Sequence, residues 1–290
     1  MDQVGALIGP LTVAGVLAVT GDDYAPALGV LAAPGVAALA VLVWLRTRVP
    51  DPVAFETPPA AAVPAGVPAR SAATSESPRL PRAFWTYAVF TGVTMAGFAT
   101  FGVLSFHFVQ RHLVSTAVVP VLYAAAMAAD APAALADGWI YDRVGARAMV
   151  ALPVLAAVVP ALAFTDSVPL VVLGVLVWGA AVGIQESTLR AVVADLIPVG
   201  RRATAYGIFA GVLGAGSLAG GALTGALYDD SVPALVGAVA AIQAAALVLL
   251  LVTTSRSRTV RAEPTEPAEP PEPPEHRRPG TTAPSVSAAR

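Results

Sequence analysis

Residues 119–164 read VPVLYAAAMAADAPAALADGWIYDRVGARAMVALPVLAAVVPALAF, two apolar tracts separated by a short turn that holds Asp137, Asp142, Arg143 and Arg147. Each tract approaches the roughly 20 helical residues that cross a hydrocarbon core of about 30 Å. The turn is therefore the point at which the chain leaves a membrane and re-enters it.

The rest of the chain follows the same plan. Of its 290 residues 56% are hydrophobic and 12% are charged, where an ordinary soluble domain carries roughly 25% charged residues. Eight apolar tracts lie near 3–19, 26–45, 84–108, 116–137, 148–164, 169–190, 204–227 and 233–252. None shows the in–out alternation of a barrel strand, and lipid offers backbone groups no partner, so each tract is expected to be a helix. The expected fold class is all-α, a polytopic transmembrane bundle of about eight spans.

Two segments fall outside that pattern. Residues 47–82 are rich in Pro, Ala and Ser and read as a flexible cytoplasmic linker; residues 253–290, rich in Pro, Glu and Arg, read as a disordered cytoplasmic tail. Two spans (1–46) precede the linker and six (83–252) follow it.

Arginine sets the orientation. All seventeen basic residues are arginine. If the linker is cytoplasmic, that side gathers Arg46, Arg48, Arg70, Arg79, Arg82, Arg143, Arg147, Arg201, Arg202 and the arginines of the tail, and the other side has Arg111 alone. Both termini are then expected in the cytoplasm, in a multi-pass protein of the plasma membrane. There is no cysteine, which removes disulfides and thiolate chemistry. The three histidines are scattered, so no metal site is expected, and nothing points to a cofactor or to nucleic acid. A membrane enzyme would need convergent catalytic acids or a metal cluster, and the sequence offers neither.

Charges inside the spans carry a functional argument, because an acid at such depth costs about 2.5–3.5 kcal/mol even on insertion scales. Asp130 lies seven residues before Asp137, about 10 Å of helix, and Tyr123, Asp130 and Asp137 share one helical face. Glu186 and Arg190 are four apart, the spacing of an intrahelical ion pair. One reading makes Asp130 or Glu186 a titrating group or a holder of a substrate cation. The other has Glu186 neutralise Arg190 while Asp130 fixes packing. Thr91, Thr94, Tyr123 and Gln185 are candidates to line a cavity. Gly216, Gly220, Gly221 and Gly225 form overlapping small-xxx-small faces for close helix approach.

The run Gly138-Trp-Ile-Tyr-Asp142-Arg143-Val-Gly145-Ala-Arg147 resembles the loop signature of the major facilitator superfamily. Ala146 stands where that signature has its first basic residue, and Tyr141 where a small residue is usual. The resemblance implies twelve helices in two six-helix halves, with a cavity between them and the signature after the second helix of each half. Here the signature follows the second span after the linker, so the eight spans resemble the family's fifth to twelfth helices and the first four are missing. It further implies a secondary transporter with alternating access, proton-coupled and moving a small solute. Asp130, Glu186 and Arg190 would be coupling candidates, with Gly138, Asp142, Arg143, Gly145 and Arg147 as a cytoplasmic gate. The expected partners are the bilayer, a small-molecule substrate, protons and the missing N-terminal part. The alternative is a non-transporting remnant, or a subunit that completes a split transporter.

Overall fold

The computed structural model describes residues 2–21, 23–49, 80–198 and 201–261, with side chains from residue 4 to residue 252. Most of the expected linker and residues 262–290 of the expected tail lie outside the described residues. Nine α-helices are present among those described: α1 (Asp2–Thr20), α2 (Tyr24–Arg48), α3 (Arg82–Ala96), α4 (Phe101–Gln110), α5 (Val119–Val144), α6 (Ala151–Ala163), α7 (Val168–Leu196), α8 (Arg202–Asp230) and α9 (Val232–Arg261). Short 3-10 stretches at Thr116–Val118 and Gly145–Val150 flank α5. No strand occurs among the described residues.

Six stretches, not eight, are long and apolar enough to cross a membrane. The difference has two physical sources. The apolar part of α1, Val4–Thr20, is short, and α5 and α6 are joined through the 3-10 turn into one stretch of 48 residues, Thr116–Ala163. At about 1.5 Å per residue such a stretch is more than twice as long as the hydrocarbon core is thick. Within it stands Gly145, at φ 61° and ψ −144°, a region essentially reserved for glycine. That glycine ends α5 and turns the chain into α6.

The helices after the linker form two groups. α5 and α6 both pack on α7; α3 packs against α8 and α9; α9 in turn packs on α6 and closes the bundle. From before the linker, α1 lies along α5, and α2 touches α1. The core runs through Phe84, Phe90, Leu104, Phe108, Leu152, Val171 and Leu189, each nearly inaccessible. α2 is the opposite case, with none of its most apolar stretch buried.

The expected third span, 84–108, is not one helix. It breaks at residues 97–100, between α3 and α4. Thr100 restarts the chain, its side chain accepting from the Val103 amide at 3.4 Å, in the manner of a helix N-cap.

Candidate functional site

Two helix seams set the geometry of the interior. On α7, Gly179 and Gly183 are one helical turn apart, and both lie against the backbone of α5. A Cβ on Gly179 would stand 2.6 Å from the Ala126 carbonyl carbon, and one on Gly183 would stand 3.0 Å from that of Asp130. Real Cβ contacts below 3.0 Å essentially never occur, so hydrogen at these two positions is what lets the helices meet. The second seam joins α3 to α8. A Cβ on Gly216 would be 2.7 Å from the Gly92 oxygen, and one on Gly220 2.8 Å from the Met95 and Ala96 oxygens. Gly221 has only an ordinary 3.7 Å neighbour, and Gly225 has none within 4 Å.

The α5–α7 seam orders the polar residues of α5. Tyr123 packs edge-on against Phe101, with ring centroids 4.9 Å apart, and lies 6.1 Å from Trp178 of α7. Asp130 is buried at the Gly183 contact. Asp137, also buried, accepts a hydrogen bond from the Thr188 hydroxyl of α7. One turn further, the Tyr141 hydroxyl donates to Asp195 Oδ2 at 2.8 Å. The seven-residue spacing of Tyr123, Asp130 and Asp137 is thus the line along which α5 faces α7. Gln185 and Glu186 are partly exposed and Arg190 is exposed.

The break between α3 and α4 is held by two distant donors. Trp178 Nε1 donates to the Ala99 carbonyl at 2.8 Å, and Gln243 Nε2, from α9, donates to the Thr94 carbonyl at 2.9 Å. Unpaired backbone groups at membrane depth cost several kcal/mol, so a broken helix persists only where protein supplies partners. Gly97 lets α9 approach: a Cβ there would lie 2.8 Å from Ile242 Cγ2 and 2.9 Å from Gln243 Nε2. Thr91 and Thr94 are fully buried here, and the Thr94 hydroxyl donates back to the Phe90 carbonyl at 2.9 Å. The aromatic rings of Phe98, Phe101, Tyr123 and Trp178 cluster beside the break.

The arginine-rich end of α7 is tied down by its neighbours. Tyr87 of α3 donates to the Leu189 carbonyl and Tyr206 of α8 to the Arg190 carbonyl, both at 3.0 Å. Arg202 reaches the Ala194 carbonyl at 2.9 Å and the Ile197 carbonyl at 3.2 Å. These oxygens include the orphan acceptors of a helix C-terminus, where a cation also complements the dipole. In the signature turn, Asp142, Arg143 and Arg147 are exposed. Arg143 folds back over the Trp139 ring, 3.1 Å from its centroid, and donates to the Trp139 carbonyl at 3.2 Å. The turn therefore grips α7 through Tyr141, one of the two positions at which the sequence departs from the loop pattern.

At the opposite end, His107 is buried, with Nδ1 3.0 Å from the Tyr228 hydroxyl and Nε2 3.5 Å from the Thr165 carbonyl. The carbonyl can only accept, so Nε2 carries a proton and donates to it. Arg111 pairs with Asp166 at 3.2 Å nearby, both side chains exposed. Among the described residues no three His, Asp or Glu side chains gather closely enough to hold a metal ion.

The profile described as Major Facilitator Superfamily covers residues 107–286. The chain belongs to the major facilitator superfamily. It is 57% identical over 253 residues to an uncharacterized protein of Mycobacterium tuberculosis, Rv2265, and equally to one of Mycobacterium bovis, Mb2288. In each case the match covers 86% of this chain and 59% of the relative, so the chain spans about three-fifths of the length of the curated relatives it matches. No solved structure matches it. Within this superfamily chain the sequence-based reading missed Gly179 and Gly183, although their small-xxx-small spacing is the one noted on α8. It also missed the partners of Trp178 and Gln243, for which no local signal exists.

Proposed function

We propose that this superfamily chain forms the greater part of a secondary transporter that carries a small solute by alternating access, coupled to protons. The observation that carries the proposal is Asp130, a carboxyl buried where the backbones of α5 and α7 touch. Buried ionisable groups inside a membrane bundle mark proton relays and ion paths, and interrupted helices point to the substrate position. Phe101, Tyr123 and Trp178 beside the α3–α4 break are then the substrate-facing cluster, and Glu186 and Arg190 are further, more exposed charges on α7. Asp142, Arg143, Gly145 and Arg147, with Gly138 preceding them, form the inner gate loop, on a cytoplasmic side of the plasma membrane that also holds both termini.

The test uses vesicles carrying the full chain, a trapped pH indicator and a panel of small solutes. Solute addition should move protons, and Asp130→Asn should abolish that movement while solute entry down its own gradient persists. Unchanged proton movement in Asp130→Asn would remove the residue from the mechanism.

A second reading is favoured by the bare apolar surface of α2 and by the share of the relatives that the chain spans. In it the chain transports only when further helices complete the cavity. Solute movement upon co-expression with the remaining part of such a relative, and none without it, would select this reading.

A further inference from the structure

Three of the four tryptophans share an unusual setting. Trp44, Trp85 and Trp139 are 57%, 49% and 60% exposed, whereas Trp178 is buried and spends its N–H on the Ala99 carbonyl. Each exposed tryptophan stands within a turn of an arginine: Trp44 four residues before Arg48, Trp139 four residues before Arg143, and Trp85 three residues after Arg82. In two of the pairs the guanidinium lies over the ring, 5.7 Å from the centroid for Arg48 and 3.1 Å for Arg143.

All three pairs lie about one turn from a helix end. Trp44 and Trp139 precede the ends of α2 and α5 by about one turn, and Trp85 follows the start of α3 by the same amount. Successive spans alternate in direction, so the end of α2, the start of α3 and the end of α5 lie on one face of the membrane, the arginine-rich face. An exposed indole is costly in water and favoured at the headgroup level, where its body meets acyl chain and its edge meets water. The arginines one turn outward are then at phosphate height. A guanidinium offers five N–H donors in a fork that matches a phosphate, and Arg143 uses one of them on Trp139.

We propose that these pairs form a collar that binds the headgroup phosphates of anionic phospholipids on the arginine-rich face. In the Trp44–Arg48 and Trp139–Arg143 pairs the ring holds the guanidinium against its own helix. Lipid, not a protein segment, is the occupant that satisfies both halves of each pair, the apolar ring and the cation beyond it. The proposal requires no transport activity and stands or falls apart from the reading above.

The experiment places the full chain, with Trp44→Phe and Trp85→Phe, in vesicles of phosphatidylcholine or phosphatidylglycerol brominated in the acyl chain near the headgroup. Quenching of Trp139 then reports which lipid occupies the collar, with Trp139→Phe supplying the Trp178 background. Phosphatidylglycerol should be preferred about fivefold, the factor corresponding to about 1 kcal/mol for one arginine near a lipid surface. Arg143→Gln should reduce the preference towards unity, and Arg143→Lys should keep most of it, which separates loss of charge from a failure to insert. Equal quenching by the two lipids, or a preference that survives Arg143→Gln, would overturn the proposal.

Discussion

Replacing glycine by alanine adds one methyl group, and this bundle should respond to that change with opposite signs at two helix positions. At Gly179 the new Cβ would stand 2.6 Å from the Ala126 carbonyl carbon, where ordinary contact begins at 3.4 Å. The obstacle is backbone, which has no rotamer to change, so α5 and α7 must part by about 0.8 Å or more. Overpacking of this kind costs about 1–3 kcal/mol. At Gly225 the same methyl would meet nothing within 4 Å, and alanine there gains about 0.5–1 kcal/mol of helix stability over glycine. The two variants should therefore differ by about 2 kcal/mol or more, roughly thirtyfold in the unfolding equilibrium constant. Reversible unfolding in mixed micelles with rising dodecyl sulfate measures the difference, followed by helix content and by the emission of Trp178, which adjoins Gly179 and is buried in the native state. A Gly179→Ala midpoint equal to or above that of Gly225→Ala would refute the argument that backbone contact, and not glycine composition, holds this seam.

Gly145→Ala should lower stability by about 1–3 kcal/mol because its positive φ admits a side chain only with strain, whereas Gly138→Ala, inside α5 with open space around its Cβ, should raise it by about 0.5–1 kcal/mol as at Gly225; thermal unfolding of the pair in detergent checks this. Gln243→Leu keeps the side-chain volume but removes the donor to the Thr94 carbonyl, and should cost about 1 kcal/mol in the same measurement. A neutral result there would show that the broken helix does not depend on α9.

Much of this architecture can be read from residues alone, because hydropathy and charge act locally. The apolar tracts, the arginine asymmetry and the Asp-Arg-x-Gly turn identify a membrane bundle and its superfamily. The seven-residue spacing of Tyr123, Asp130 and Asp137 marks the face of α5 that meets α7, since helical periodicity fixes which residues share a side. Gly145 is legible as part of the loop signature, in a turn between two apolar tracts.

What the sequence by itself determined is therefore the class of protein and the approximate position of its apolar tracts. The tertiary structure decided which apolar faces are buried and which glycines touch: Gly179, Gly183, Gly216 and Gly220 meet a backbone while Gly225 does not. It also decided that the third span is broken, with donors arriving from residues 79 and 149 positions away. The physical reason is that lipid and protein interior are equally apolar. Hydropathy cannot distinguish them, and the close contacts and hydrogen bonds that do so exist only once distant helices have met.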